Sequence, residues 1–185
     1  MRSILGLAML VGAFACPTLQ ARIVDQAANG FTVENSEWVP ADPQTSWKSF
    51  VHDVGNWWPA DHSWWGDVSR LSISEKVGGC FCELNGARQA WHMTVTFVDP
   101  GRLMRMTGGL GPLQGMGLDG VLEWRFAEER GGTRITLWYR AGGYTPDDLG
   151  KFVPVLDKVQ ALQLGGLAAY LRKQVPGPWS DGHPR

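Results

Sequence analysis

The sequence predicts an α+β fold in which an antiparallel β-sheet packs against a long C-terminal helix. Seven short segments have the alternation or the β-branched and aromatic content of strands, and turn residues separate most of them. A helical apolar stripe follows residue 41, and a longer one follows residue 147. Strands joined by such short connections are expected to pair as an antiparallel meander.

The first 21 residues predict a secretory signal peptide. Arg2 precedes an apolar run over residues 4–14 that is too short to span a bilayer. Cleavage is expected after Ala21, with Ala15 as the second choice. The alternative is a lipoprotein acylated at Cys16, but the residues before it depart from the usual lipobox. We therefore expect a periplasmic or secreted protein with a single domain over residues 22–175 and a disordered tail over 176–185.

The composition limits the classes of partner. The chain has 185 residues, 44% of them hydrophobic, enough for one domain with a sizeable core. The 17 basic and 18 acidic residues leave a formal charge of −1, so no field of one sign can attract nucleic acid or an anionic membrane. Ten tryptophans instead favour an aromatic core or an apolar ligand pocket. No nucleotide-binding, phosphate-loop or metal motif indicates a cofactor.

The first strand is predicted over residues 31–39, and a helix follows it. Asp42 provides an N-cap and Pro43 the first helical position. The helix carries an apolar stripe that must face a core, formed by Trp47, Phe50, Val51 and Val54. Gly55 is expected to end it. The remaining strands are predicted over residues 68–76, 80–85, 89–98, 102–107, 118–127 and 133–141.

The last element is predicted as a helix between residues 147 and 175. Acidic residues at its start and basic residues at its end suit the helix dipole. Pro154 predicts either a kink or a short first helix that ends near Val153. Gly165 and Gly166 remove side chains in mid-helix, where another element is expected to approach.

Cys80 and Cys82 are the only cysteines left after cleavage, in a compartment that oxidises thiols. On a regular strand their Cα atoms would lie about 6.6 Å apart, near the upper limit for a disulfide. We expect two small buried apolar side chains, with a strained or bulged disulfide as the alternative. Two thiolates without nearby histidines do not complete a zinc shell, so no metal site is expected.

The order of these elements resembles that of the SRPBCC, or START-like, superfamily, most closely its branch of ATPase-activator-homologue and polyketide-cyclase-like domains. The resemblance covers roughly residues 30–172 and is carried by Ala41-Asp42-Pro43 with Trp47, by Trp57 or Trp58, and by residues 77–81, 98–103 and 132–137. It implies a helix-grip fold, in which a curved antiparallel sheet wraps around the last helix and leaves a lipophilic cavity. Members include binders, transporters, cyclases and co-chaperone modules, so the fold alone does not settle the activity.

Strand alternation predicts which side chains face the cavity. Within residues 89–98, His92 should point outward, and the inward set should be Trp91, Met93, Val95 and Phe97. On the last two strands Trp138 should point outward, and the inward set should be Leu122, Trp124, Phe126, Ile135, Leu137 and Tyr139.

Four tryptophans lie within nine positions of the segment that follows the first helix. Trp57 and Trp58 are expected to seal the core, whereas Trp64 and Trp65 should form an aromatic lip over an apolar ligand. The glycine-rich residues 108–117 should supply the opposite lip. The predicted ligand-binding set is Trp64, Trp65, Trp91, Met93, Val95, Leu110, Leu113, Met116, Trp124, Leu137 and Tyr139.

Glu83 is the first candidate for a catalytic acid or base. If Phe81 faces the cavity, as the resemblance suggests, Glu83 does too, and its pKa should be raised. If Cys80, Cys82 and Leu84 face inward instead, Glu83 is a surface charge, and the apolar count favours this second register.

Five further residues are candidates for roles in chemistry or head-group binding. Tyr139 and Tyr144 are further candidates for an acid or base. Arg105 could hold a carboxylate head group, but we expect an edge-strand arginine in water. Asp61 and His62 could form an acid–base pair, but adjacent loop residues rarely aim at one point, so no such role is expected.

These patterns predict an exported binding protein for a small hydrophobic or amphipathic molecule and favour a binder over an enzyme. One alternative is a cyclase- or dehydratase-like enzyme that uses an inward acid or base. The other is a protein-interaction module related to the ATPase-activator domains.

Overall fold

The computed structural model describes residues 20–175. The predicted signal peptide, apart from its last two residues, lies outside this range, as do Cys16 and the tail over residues 176–185. The first strand begins at Gln20, so cleavage after Ala21 would remove its first two residues, whereas cleavage after Ala15 would leave it whole.

The described chain forms one eight-stranded antiparallel sheet with the order β1-β2-β8-β7-β6-β5-β4-β3. The strands are β1 (Gln20–Ala27), β2 (Gly30–Val39), β3 (Leu71–Ile73), β4 (Cys80–Asn85), β5 (Arg88–Asp99), β6 (Leu103–Thr107), β7 (Asp119–Glu129) and β8 (Gly132–Gly142). Strands β3 to β8 form the predicted meander, and β2 closes onto β8. Strand β1 was not predicted, because residues 22–27 on this edge strand are exposed and carry no buried alternation.

The first helix, α1 (Pro43–His52), begins as predicted. The Asp42 carboxylate accepts hydrogen bonds from the backbone N–H groups of Gln44 and Thr45 at 2.9 and 3.0 Å. The prediction that Gly55 ends this helix was wrong, because Gly55 lies within a second short helix, α2 (Val54–Trp57). A Cβ at Gly55 would stand 3.0 Å from the Val68 carbonyl oxygen, so glycine serves a close backbone approach there.

The last helix, α3 (Leu149–Gln174), packs against the sheet and is capped by the Asp148 carboxylate. Pro154 lies inside it without dividing it into two helices. A Cβ at Gly166 would stand 2.3 Å from the Trp57 carbonyl oxygen, whereas a Cβ at Gly165 would meet nothing within 4 Å. The predicted close approach therefore occurs at Gly166, where α3 meets the end of α2.

Two bulges in β5 overturn the predicted alternation of that strand. The pairing with β4 places Met93 opposite Phe81 but Trp91 opposite Cys82, which leaves His92 as an extra residue. A second shift occurs at Thr96 in the pairing with β6. As a result His92, Met93 and Val95 are buried. The outward orientation predicted for His92 was wrong, as was the inward orientation predicted for Trp91 and Phe97, which are exposed.

The register favoured for β4 was also wrong. Phe81 and Glu83 are buried and Leu84 is half exposed, so the inward face is the one that carries Glu83, although Cys82 of the favoured set is buried as well. Cys80 and Cys82 form a disulfide, contrary to the expectation of free thiols. Their Cα atoms lie 5.4 Å apart where the pairing with β5 shifts, which is closer than on a regular strand and within the usual disulfide range.

The inward orientations predicted for β7 and β8 are confirmed. Leu122, Trp124 and Phe126 are buried on β7, and Ile135, Leu137 and Tyr139 are buried on β8. Trp138 points outward, where the guanidinium groups of Arg125 and Arg140 each lie 5.2 Å from its ring centroid. The α1 stripe completes the core, with Phe50 packing on the Trp124 ring at a centroid distance of 4.8 Å.

Candidate functional site

A cavity of about 310 Å³ opens between the segment after α2, the residue 108–117 loop and α3. Most of its wall is apolar and aromatic, formed by Trp58, Trp64, Leu110, Pro112, Phe152, Val155, Leu156 and Val159. The polar residues of the wall are Asp61, His62, Ser63, His92 and Gln163. An apolar cavity with a few convergent polar groups is the usual form of a small-molecule site.

The tryptophan loop, residues 57–65, forms one side of this cavity and is held in place by Glu83. The Glu83 carboxylate is fully buried and accepts hydrogen bonds from the Ser63 hydroxyl at 2.7 Å and the Trp64 N–H at 3.0 Å. The Trp65 N–H adds a third contact at 3.3 Å. Hydrogen bonds to a charged acceptor are among the stronger ones in proteins. Glu83 therefore anchors the loop from behind, and it does not itself line the cavity.

The four tryptophans divide between core and cavity. Trp57 and Trp58 are buried as predicted, and their indole N–H groups donate to the carbonyls of Ser49 and His62. Trp58 has a second role that was not predicted, because its ring also lines the cavity. Trp64 is 53% exposed and lies at the cavity wall, the position expected of a lip. Trp65 lies outside the wall, with the Arg88 guanidinium 5.6 Å from its ring centroid.

The glycine-rich loop, residues 108–117, forms the opposite side and is tied to the sheet. The Tyr139 hydroxyl donates to the Gly108 carbonyl at 3.0 Å and accepts from the Leu110 N–H at 3.2 Å. The Gln114 amide donates to the carbonyls of Trp91 and His92, two groups at the β5 bulge. Burial raises the pKa of Tyr139 well above its usual range. Tyr139 is therefore a protonated side chain that links the glycine-rich loop to the sheet, and it does not line the cavity.

His92 is brought to the cavity wall by the β5 bulge. Burial lowers the pKa of its imidazole, while the nearby Glu83 carboxylate opposes this shift. His92 Nε2 lies 3.7 Å from Glu83 Oε2, too far for a hydrogen bond. The imidazole is thus neutral at neutral pH, with a buried nitrogen that has no partner in the protein.

Two further polar atoms at the wall lack partners. The Nδ1 atom of His62 and the Oε1 atom of Gln163 are buried without a hydrogen bond. Buried polar atoms are almost always satisfied by protein, water or ligand. Three of the wall residues, His62, His92 and Gln163, therefore carry a buried polar atom without a protein partner.

The predicted ligand-binding residues fall into three groups. Only Trp64 and Leu110 lie at the cavity wall. Six others pack wholly inside the core, namely Met93, Val95, Leu113, Trp124, Leu137 and Tyr139. The rest lie elsewhere: Met116 packs partly against the core, Trp65 contacts Arg88, and Trp91 is 53% exposed on the outer side of β5. The core side chains fill the centre of the sheet, so the cavity is confined to the loop end.

The contributions of α3 and of His92 to the cavity wall were not predicted. One face of α3 lines the cavity with the side chains of Phe152, Leu156, Val159 and Gln163. A signal was present, because Gln160 and Gln163 interrupt the apolar stripe and are both buried. His92 had no comparable signal, since its orientation depends on a bulge.

The remaining candidates occupy different surroundings. Arg105 is outside the cavity, paired with the Glu123 carboxylate at 2.7 Å. Tyr144 is almost fully exposed. Asp61 and His62 both line the cavity, although no shared geometry between them was expected. Within residues 20–175, no group of three acidic, histidine or cysteine side chains is arranged to hold a metal ion, and no helix has the length and hydropathy of a membrane span.

No protein-family model matches the chain, and no curated protein matches its sequence. Solved structures do match it. EF2215 from Enterococcus faecalis, a conserved protein of unknown function, is 12% identical with a TM-score of 0.57, covering 89% of this chain and 82% of its own. Mll3558 from Rhizobium loti is 16% identical with a TM-score of 0.56, covering 77% and 97%.

A third structure is the Aha1 dimer from Colwellia psychrerythraea, which is 14% identical with a TM-score of 0.54 and covers 76% of this chain and 95% of its own. The chain has the helix-grip fold. Likeness at such low identity extends to the fold alone, so the activity has to be argued from the cavity.

Proposed function

We propose that this chain is an exported, periplasmic or secreted protein that binds a small hydrophobic or amphipathic molecule in the cavity between the tryptophan loop, the glycine-rich loop and α3. The supporting observation is the cavity itself, whose wall is largely apolar and includes the polar side chains of His62, His92 and Gln163. Burial of apolar ligand surface would drive binding. A volume of about 310 Å³ is at the small end for ligand pockets, which favours a compact ligand.

Both sides of the cavity are held in place before any ligand arrives. Glu83 fixes the tryptophan loop, and Tyr139 and Gln114 fix the glycine-rich loop. Such preorganisation lowers the entropy cost of binding. A protein-interaction module would not require an open, preformed cavity, so we rank that function below small-molecule binding.

The proposal is tested by filling the cavity from α3. Val159 lines the wall, whereas Leu162 lies on the same helix, is exposed and lies outside the wall. We expect Val159→Trp to weaken binding of the neutral fluorophore N-phenyl-1-naphthylamine by at least about tenfold, with Leu162→Trp as the matched control that retains affinity. Equal affinity of the two variants would contradict binding in this cavity.

His92 favours a second function, an enzyme of cyclase or dehydratase type. A neutral imidazole at a cavity wall, with the Glu83 carboxylate 3.7 Å from its Nε2 atom, is a candidate general base. Glu83 itself is poorly placed for that role, because its oxygens already accept hydrogen bonds from the loop.

A simple proton-transfer assay tests this function. NMR would follow exchange of the acidic CH₂ protons of 2-tetralone for deuterium in D₂O, with and without the protein. The enzyme hypothesis predicts accelerated exchange that His92→Gln removes. Exchange at the uncatalysed rate, or one that is insensitive to His92→Gln, would leave binding as the function.

A further inference from the structure

The charges around the cavity constrain the chemistry of its ligand. Asp61 is the only carboxylate among the wall residues, and no Lys or Arg within residues 20–175 lines the wall. The Glu83 carboxylate lies close behind, 3.7 Å from the His92 nitrogen. The fixed charges at this site are therefore negative.

His92 does not compensate for this charge. Its pKa is lowered by burial, so the imidazole is neutral at neutral pH. A ligand carboxylate or phosphate would lose its hydration on entry without gaining a cationic partner, which is strongly unfavourable. Arg105, the cation that the sequence suggested for such a head group, is paired with Glu123 outside the cavity.

The polar side chains at the wall indicate what an occupant can supply. Gln163 lines the wall, is 4% exposed and has no hydrogen-bond partner at its amide oxygen within the described chain. An amide oxygen only accepts hydrogen bonds, so it calls for an O–H or N–H group. His92 is 6% exposed and also lines the wall, and a neutral imidazole has one nitrogen that accepts a hydrogen bond from the same kind of group.

We propose that the cavity selects uncharged or cationic ligands, namely compact apolar molecules with a hydroxyl or amine group that donates to Gln163 and His92, and that it rejects anionic lipids and carboxylates. This inference rests on the proposed binding function and gives its ligand class. Trp58, Trp64 and Phe152 surround the apolar part, and aromatic rings also attract a cationic amine.

A matched set of naphthalene probes separates these properties, with affinities measured by isothermal titration calorimetry on the purified protein. The probes are 2-naphthalenemethanol, 2-naphthylmethylamine, 2-naphthoate and 2-methylnaphthalene. We expect the alcohol and the protonated amine to bind at least about tenfold more tightly than naphthoate, and more tightly than the methyl compound. If naphthoate binds as tightly as the alcohol, the proposed ligand class is wrong, but the proposed binding function is not contradicted.

Variants assign the selection to named residues. Asp61→Asn should weaken the amine and strengthen naphthoate, with the alcohol unchanged, whereas Asp99→Asn, at the far end of β5, should change none of them. Gln163→Leu should reduce the difference in affinity between the alcohol and the methyl compound. Probe preferences unchanged by both cavity variants would overturn the inference. Absence of binding by all four probes would contradict the proposed function together with it.

Discussion

The contact between α3 and α2 predicts that alanine substitutions at two adjacent glycines change the free energy of unfolding in opposite directions. A Cβ at Gly166 would stand 2.3 Å from the Trp57 carbonyl oxygen, about 1 Å inside ordinary van der Waals contact, which begins at 3.4 Å. A Cβ at Gly165 would meet nothing within 4 Å, and neither glycine has a positive φ. The two positions therefore share a helix and differ in what they face.

The expected free energies follow from this geometry. Gly→Ala inside a helix stabilises by about 0.5–1 kcal/mol where the methyl group fits. Overpacking against a backbone carbonyl costs about 1–3 kcal/mol. Gly165→Ala should thus stabilise the protein by about 0.5–1 kcal/mol, and Gly166→Ala should destabilise it by about 1–2 kcal/mol.

Urea unfolding, followed by tryptophan fluorescence, measures both values. Gly166→Ala should also weaken probe binding, because Trp57 begins the tryptophan loop that forms one side of the cavity, while Gly165→Ala should leave affinity unchanged. Two variants with the same sign of stability change would refute the close approach between α3 and α2.

Three further predictions concern the site. Glu83→Gln, which removes the charge that anchors the tryptophan loop, should lower the free energy of unfolding by about 1–3 kcal/mol. The control Glu128→Gln, at an exposed residue, should change it by no more than about 0.5 kcal/mol. Equal effects of the two substitutions would contradict the anchoring role of Glu83. Burial lowers the pKa of His92, so the unfolded chain protonates first and the free energy of unfolding should fall as pH drops below about 6.5, by at most about 1.4 kcal/mol per pH unit. A pH series with His92→Gln, which should lack this component, checks the sign. Trp64→Ala should weaken probe binding several-fold in a fluorescence titration with little change in stability, because the side chain is 53% exposed at the cavity wall; unchanged binding would remove Trp64 from the site.

Most of the fold was predictable from the regular spacing of apolar residues. The Asp42-Pro43 start, the α1 stripe, the meander and α3 were all predictable, because each depends on local capping chemistry or on repeated apolar spacing. Edge strand β1 lacked such a signal, since its exposed side chains give no burial pattern.

The site was harder to predict because it depends on departures from periodicity. One extra residue in β5 turns His92 inward and Trp91 outward, and a bulge leaves no reliable mark in a single sequence. The inward register of Glu83 is favoured by three loop hydrogen bonds, a tertiary effect that outweighs the apolar count on β4. Tyr139 and Trp124 were correctly oriented but fill the core, because orientation alone does not distinguish a packed centre from a cavity.

Native mass spectrometry of protein purified from the exported fraction tests whether the cavity holds a small molecule. The same sample is measured before and after mild denaturation, which also gives the mature N-terminus. We expect a bound mass that is lost on denaturation and belongs to a compact uncharged or cationic molecule. An empty protein from that fraction, whose tryptophan fluorescence does not respond to the naphthalene probes, would contradict it.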